Sequence, residues 1–522
     1  MNRPASMRII LAAFLVAWLF GVLSGTVVQT QINLLALQNL GVAIDLQTRI
    51  ASSFHDLGNF SPVYAVLFGG SFVASQAVAS LFTRFTSAAW RTFWCTFGAA
   101  LGLWVTFKVV DMFAPMPVLI ASTRTAGGML SMLAAAAVSG LLFAKLSKPG
   151  KAVGTPMSAL LLAAGLALPQ GEAIAQGSKP YTIETFVDGL ENPWSMAFLP
   201  DGSALITEKP GRLRLLGVDG KLQAKPLGGV PQVFYSGQAG MFDVLPATDF
   251  AQSRRIFLSY ACGNSSANHT CVSSATLGDK GLEGVKEIFR SQVKKSGSAH
   301  FGGRMVWLPD DTLIVTLGDG YSYREEAQNL SNHFGKIVRI NADGSVPQNN
   351  PFVGKPGALP EIYSYGHRNV QGLAYDAANK RLISHEHGPR GGDEVNVITP
   401  GTNYGWPKAT YGIDYSGAQI SPYKEYEGTQ QPAIYWVPSI APSGITVYNG
   451  DMFPQWKGSL LVGALKARQV SRVVLKGNKA SEAEVLFKEE GERIRDIRTG
   501  PDGAIYLLTD STNGKVLRVS AQ

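Results

Sequence analysis

From Lys179 onward the chain repeats one local pattern, and that repetition constrains the fold more than any other feature. The pattern is a small or apolar entry, a hydrophobic pair, a turn, and a second alternating run. It occurs as WSMAFLPDGSALITEKPGRLRLL (194–216), MFDVLPATDFAQSRRIFLSY (241–260) and RMVWLPDDTLIVTLGDG (304–320). It returns as GLAYDAANKRLISHEHG (372–388), ITVYNGDMFPQWKGSLLVGALKARQVSRVVL (445–475) and DIRTGPDGAIYLLTDSTNGKVLRVS (496–520). Asp-Gly and similar pairs between alternating runs signal hairpins. Six such units mean a radial or stacked β-repeat. Their irregular spacing suits a propeller with long inter-strand loops better than a solenoid, whose stacking wants uniform repeats. Residues 181–186 (YTIETF) precede the first unit and are expected to close the ring as the outer strand of the last blade. The expected fold of residues 179–522 is an all-β six-bladed β-propeller.

The preceding third has a different texture. Stretches at about 9–28, 60–82, 92–113 and 126–146 each carry close to the twenty apolar residues that a bilayer demands of a helix. A fifth, residues 156–169, is short and is followed by Ala173-Ile174-Ala175, in the manner of a signal-peptide core and cleavage site. The expected organisation is a membrane region with four transmembrane helices (1–152), a signal-like fifth apolar segment and linker (153–178), and the propeller. Residues 1–176 hold ten basic and four acidic side chains, against 36 and 34 in the remainder. The charge excess therefore sits around apolar segments, which disfavours nucleic acid as a partner and favours a membrane. Arg3, Arg8, Arg84, Arg91, Lys145, Lys148 and Lys151 fall on one side of the four spans. Positive-inside counting places the N-terminus in the cytoplasm and the propeller outside. In an exported domain Cys262 and Cys271, which bracket GNSSANHT, could close one hairpin.

Propeller chemistry gathers where loops converge at one mouth of the channel. His300 stands in SAHFGGR, where Gly302 and Gly303 would let backbone approach a ligand closely. His367, Arg368 and Asn369 stand in GHRNVQG, and His385 and His387 in SHEHGPRGGDE. The Gly and Pro of EHGPRGGDE can point successive carbonyls at a hard cation such as calcium; a solvated turn is the plainer alternative. Arg493 and Arg495 alternate along one strand and so face one side. With Lys466 they could converge on an anion carrying several carboxylates, or each could simply face solvent.

The segments GQAG, HFGGR, LGDG, DGSVPQNNPF, YGHRNVQGLAY, EHGPRGGDEVN, GTNYGWP, GALK and RIRDIRTGPDG follow one another in order over residues 179–522. Taken together they resemble the soluble-type, PQQ-dependent aldose sugar dehydrogenases, the six-bladed quinoprotein family. The resemblance implies oxidation of an aldose at C1 to the lactone, with PQQ and Ca²⁺ as cofactors. It implies His300 as catalytic base and Arg368 against the reacting quinone oxygens. Gln238, Asn369, Lys466, Arg493 and Arg495 would join Arg368 in binding PQQ. The backbone carbonyls of Gly388 and Pro389 would hold calcium. The multi-span N-terminus lies outside what the resemblance explains, since typical members are freely periplasmic. Joined to the positive-inside reading, the expectation is a bacterial inner-membrane protein with its propeller in the periplasm. Its helices would either pass electrons toward a quinone or cytochrome or serve as a plain anchor. Two positions depart from the pattern. Glucose-oxidising members carry Asp directly before the catalytic His, where this chain has Ala299, and Val370 replaces the proline expected after Arg-Asn. The change at Ala299 points to wide aldose specificity and leaves the orientation of His300 without its expected carboxylate.

Two other functions compete. A calcium-dependent lactonase propeller would need Glu, Asn and Asp side chains around one central metal and has no use for the Lys466/Arg493/Arg495 cluster. A non-catalytic or degenerate binding module should have lost the His300 and Arg368 pair, and this chain has both.

Overall fold

In the computed structural model, residues 7–113, 118–147, 181–293 and 295–522 are described. The expected fifth apolar segment, 153–178, lies outside them. Five helices open the chain: α1 (Met7–Asn39), α2 (Leu46–Asn59), α3 (Ser61–Phe85), α4 (Arg91–Phe113) and α5 (Ala126–Leu146). All but α2 are long and apolar enough to cross a membrane. Their outer faces expose residues such as Val66 and Leu130, as lipid contact requires.

Inside the bundle, aromatic rings meet glycines. Phe60, Tyr64, Phe68 and Phe72 recur every fourth residue, stack at centroid spacings of 5.5, 5.8 and 5.2 Å, and are fully buried. On α1, Gly21 and Gly25 make the room they need. A Cβ at Gly21 would lie 2.2 Å from the Phe68 ring, and one at Gly25 would lie 2.3 Å from the Tyr64 ring. Small residues four apart let membrane helices approach this closely.

The first span runs eleven residues beyond the expected end at 28. Hydropathy stops at Gln29, Thr30 and Asn33, but each finds a protein partner: the Ser122 amide, the Asp56 carboxylate and the Gln419 carbonyl. Those partners satisfy polar groups that neither lipid nor an isolated helix could, so the helix continues. The residues expected as a loop after it also contain α2, whose N-cap Asp45 accepts from the Thr48 amide at 2.7 Å. Arg84, Arg91 and Lys145 lie at one end of the bundle, where Arg91 donates to the Ala144 carbonyl. The loops at the other end meet the propeller.

The propeller has six sheets, five of four strands and one of three. Blade 1 (193–216) has the three; blades 2 to 5 cover 241–290, 305–365, 370–436 and 442–486. Blade 6 joins Ile494–Thr499, Ile505–Thr509 and Gly514–Ala521 to Tyr181–Leu190, which pairs antiparallel with Gly514–Ala521 from Tyr181↔Ala521 onward. The ring is therefore closed as the YTIETF run implied. First strands touch their neighbours in succession, and that of blade 6 touches that of blade 1.

Why the central strands read as near-continuous apolar runs follows from this arrangement. Successive side chains point to opposite faces, and in a propeller both faces are buried between blades. Phe257 enters the wedge between blades 2 and 3 while Leu258 enters that between blades 1 and 2. Leu313 and Ile314, Leu382 and Ile383, Leu461 and Val462, and Leu507 and Leu508 divide in the same way. Cys262 and Cys271 form a disulfide across one hairpin of blade 2.

Candidate active site

His300 lies in the loop entering blade 3, in left-handed backbone at φ 53°. Its amide donates to Gln238 Oε1 at 2.8 Å, and its Nδ1 lies 2.7 Å from Asp319 Oδ1. Asp319 comes from LGDG, in the loop leaving the second strand of blade 3. Its Oδ1 also accepts the Tyr321 amide at 2.7 Å, and its Oδ2 accepts Trp406 Nε1 at 2.8 Å. A carboxylate accepts only, so Nδ1 carries the imidazole proton and Nε2 keeps its lone pair. The missing carboxylate at Ala299 is thus replaced in its orienting role by Asp319, nineteen residues beyond His300. Lys295 fixes the same loop by donating to the Ala299 carbonyl at 2.6 Å, and burial pushes its ammonium down to about 7.

Burial and the nearby Arg368 guanidinium push the His300 imidazole down to about 4, against the opposing pull of Asp319. Burial would raise the Asp319 carboxyl, but His300 and Arg368 hold it below the usual range. The pair is therefore a neutral imidazole on an ionised carboxylate at neutral pH.

Gly302 lines the chamber described below, and packing also demands glycine both there and at Gly303. A Cβ would lie 2.5 Å from the Thr316 carbonyl at the first and 2.7 Å from the Phe242 ring at the second. Of the other histidines, His367 is held between Ser364 and Glu386 at 2.9 Å each, and His387 donates to the Pro442 carbonyl. His385 is buried with its ring against Gly372. The three do not converge on a metal, and of them His387 also lines the chamber described below.

Arg368 is buried, 5.4 Å over the Trp406 ring, and donates to the carbonyls of His387 at 3.1 Å and Gly388 at 2.7 Å. Beside it lies a chamber of about 300 Å³, at the lower end of small-molecule sites. Gln238, Asn369, Arg493 and Arg495 line it, as do Lys209 and Gln371. Arg493 and Arg495 face one side, as their alternation required, and share Asp510 at 2.7 and 3.0 Å. Burial would raise Asp510, but Arg495 and Arg493 hold it down at about 2. With Lys209 the wall stays net positive. Lys466 is exposed and its neighbour Leu465, not Lys466 itself, lines the chamber.

This donor set fits a polycarboxylate quinone: guanidinium and ammonium groups for carboxylates, amides for ring oxygens, and Trp194 and Phe242 for a flat ring. The fit for calcium is narrower. Asp393 accepts from Gly388, Ser439, Ile440 and Ala441, and Glu386 is held by His367 and the Arg368 amide. Neither acid is free to ligate, so the loop offers main-chain oxygens, and Gly388 already lends its carbonyl to Arg368. A Cβ at Gly388 would lie 2.2 Å from the Gly391 carbonyl, so the turn admits only glycine there. Two carbonyls supply a minority of the six to eight oxygens calcium takes, leaving the rest to cofactor and water. Among the described residues the one group of three metal-type side chains is Cys262, Cys271 and Glu287, with its sulfurs bonded to each other. Among the described residues no ring of carboxylates such as a lactonase would need is assembled.

Asp319, Trp406, Lys209 and Asp510 were not singled out from sequence. The first two lie inside the motifs LGDG and GTNYGWP, which gave them a place but no partner. Lys209 and Asp510 carry no local signal beyond turn positions.

Comparison with known proteins agrees with this arrangement. Residues 190–518 match the glucose/sorbosone dehydrogenase family. The chain is 45% identical over 344 residues to the aldose sugar dehydrogenase YliI of Escherichia coli, spanning 65% of this chain and 92% of that protein. It is 27% identical over 419 residues to quinoprotein glucose dehydrogenase B of Acinetobacter calcoaceticus, spanning 64% and 86%. The solved PQQ-bound aldose sugar dehydrogenase of Streptomyces coelicolor superposes with a TM-score of 0.55 at 28% identity, over 66% of this chain and 98% of that one.

Proposed function

The chain belongs to the glucose/sorbosone dehydrogenase family of PQQ-dependent oxidoreductases, and from that premise we propose that it oxidises aldoses at C1 to the lactone with PQQ and calcium. The observation that carries the reading is the buried His300–Asp319 pair beside a cationic chamber.

His300 Nε2, unprotonated at neutral pH, takes the proton of the anomeric hydroxyl as the C–H bond at C1 gives up its hydride. Asp319 holds the ring in the tautomer that leaves Nε2 basic and stabilises the imidazolium that forms. Arg368 faces the reacting side and stabilises negative charge developing there. PQQ supplies the two-electron acceptor. Arg493, Arg495 and Lys209 would meet its carboxylates, with Lys466 at the rim, while Gln238 and Asn369 would hydrogen-bond its ring. The Gly388 and Pro389 carbonyls would hold calcium, the second lone pair of the Gly388 oxygen being free of its bond from Arg368. The anomeric proton would go to His300, the hydride would be accepted by PQQ when bound, and the sugar would leave as lactone.

The basic end of the bundle lies opposite the propeller, which supports a cytoplasmic basic end and a periplasmic propeller on a bacterial inner membrane. A membrane quinone or a cytochrome would then take the electrons.

The test is dye-coupled oxidation of an aldose panel by the full chain, prepared apo and given PQQ and calcium separately and together. Activity only with both, lost in His300→Ala, supports the reading. Absence of PQQ binding overturns it.

A further inference from the structure

The helical bundle and the propeller meet at the mouth of the site, through contacts that bury charge. The Arg124 guanidinium donates to both oxygens of Glu325 at 3.2 and 2.9 Å. Arg324, buried, donates to Asn33 Oδ1 and lies 3.8 Å from Asp414. Asp56, also buried, accepts from the Thr30 hydroxyl at 2.7 Å and from the Gln419 amide at 2.8 Å. Ala418 joins the apolar core of the bundle. Gly417 comes so near α2 that a Cβ there would lie 2.2 Å from the Asn59 carbonyl.

At the site itself, Tyr321 stands edge-on to His300 at 5.2 Å and donates its hydroxyl to the Val118 carbonyl at 3.2 Å. Val118, Ala121 and Arg124 form one wall of the space above Arg368, and Tyr321, Trp406 and Pro389 are among the residues opposite. That space is about 20 Å³, room for a single water. His300 is 2% exposed and Arg368 4%. A sugar ring needs a site on the order of hundreds of cubic ångströms, and the neighbouring chamber is the space that the cofactor takes.

We propose that residues 118–124 are a cover on the sugar side of the site, shut when the bundle is docked as here, and that the sugar reaches His300 only when this contact releases. The inference rests on the dehydrogenase reading above. Its kinetic signature is specific. Only the undocked fraction binds sugar, so docking raises KM by the reciprocal of that fraction and leaves kcat nearly unchanged.

The experiment uses the full chain in detergent or lipid nanodiscs, loaded with PQQ and calcium, with glucose and xylose as probes. Arg124→Ala removes one anchor. A triple variant, Asn33→Ala, Arg124→Ala, Gly417→Ala, removes two and drives a wedge against Asn59. Hydrogen exchange of the amides of residues 118–124 and 321–328 reports docking independently of activity. We expect exchange there to rise at least tenfold in the triple variant, with kcat/KM rising at least tenfold through KM. In Arg124→Ala the same changes are smaller, about threefold, and this variant decides if the triple fails to fold. Exchange that rises while kcat/KM stays level or falls overturns the proposal; a fall would make the segment a working wall of the site. Exchange that is already fast in the unsubstituted chain overturns it too, because the cover is then not docked. If no form oxidises any aldose although exchange shows release, the dehydrogenase reading fails and takes the cover with it. Failure of the cover alone looks different: the unsubstituted chain turns over sugar as efficiently as the released variants.

Discussion

Asp319→Asn changes one atom and leaves the volume alone, yet no orientation of the amide suits the site. Three donors converge on the two carboxylate oxygens: His300 Nδ1 at 2.7 Å, the Tyr321 amide at 2.7 Å and Trp406 Nε1 at 2.8 Å. An asparagine offers one acceptor and one NH₂. If its oxygen faces His300 and Tyr321, the NH₂ confronts the Trp406 indole N–H. The buried indole then loses its partner, at about 1–3 kcal/mol of stability. His300 also loses a charged acceptor worth about 1.5–3 kcal/mol to the imidazolium, or roughly 10- to 100-fold in rate. If the amide turns over, its NH₂ faces Nδ1, which must then accept. The ring proton moves to Nε2 and the base is lost, an effect of order 10⁴-fold where the same exchange is made behind other catalytic histidines. The expected result is a fall in kcat of about 10- to 10⁴-fold, set by which orientation the amide takes, with PQQ affinity little changed. Steady-state dye-coupled kinetics, with PQQ binding titrated separately by tryptophan fluorescence, measure the two effects apart. A variant that retains kcat within threefold of the parent, at full PQQ occupancy, would refute the orienting role of Asp319.

Acid should destabilise the fold in a defined window. His300 and His387 both titrate at about 4 in the folded chain, each pushed down chiefly by burial, against about 6.5 unfolded. Below pH 6.5 the unfolded chain binds protons that the native chain refuses, so stability falls from pH 6.5 to 4, by about 3 kcal/mol for His300 alone. Chemical denaturation at pH 7.5, 6 and 5 checks this, and midpoints independent of pH would contradict it. Asp510 acts lower: its depressed value of about 2 contributes stability that is lost only as pH falls from 3.8 toward 2. Arg495→Ala leaves Asp510 paired with Arg493 and removes one cation from the chamber wall, so PQQ should bind about 10- to 100-fold more weakly with the propeller still folded; titration calorimetry reads it. Gly25→Ala forces a Cβ to within 2.3 Å of the Tyr64 ring. About 1–3 kcal/mol of overpacking should lower the unfolding temperature of the bundle in detergent, while the propeller transition stays in place.

What could be read in advance followed from local periodicity. Turn chemistry and alternation marked all six blades, and YTIETF supplied the strand that the last unit lacked. Spans two to four were legible because their lengths come from residues that have only lipid to face. The first span was not, because Gln29, Thr30 and Asn33 are paid for by partners as far along the chain as Gln419. The site divides along the same line. His300, Arg368 and the Arg493/Arg495 pair sit in motifs or on one face of one strand. Asp319 and Trp406 meet only because the loop leaving the second strand of blade 3 and the loop within blade 4 share the mouth, 87 residues apart in sequence. Lys466 was grouped with the two arginines by charge, but its backbone turns at the strand end and leaves the ammonium in solvent. Docking of the bundle on the mouth had no sequence signal, since its residues are polar side chains scattered over both halves.

The closure of blade 6 has a consequence for biogenesis. Its outer strand, Tyr181–Leu190, is among the first parts of the propeller to leave the ribosome, and its partner, Gly514–Ala521, is the last. Until Gly514–Ala521 emerges, the early strand waits with a bare edge, the kind that invites pairing with another chain. The ring can lock only once the whole domain has been synthesised and delivered to the same side of the membrane. A nascent chain that stalls before Gly514–Ala521, or that lacks this strand, keeps an open edge inside blade 6.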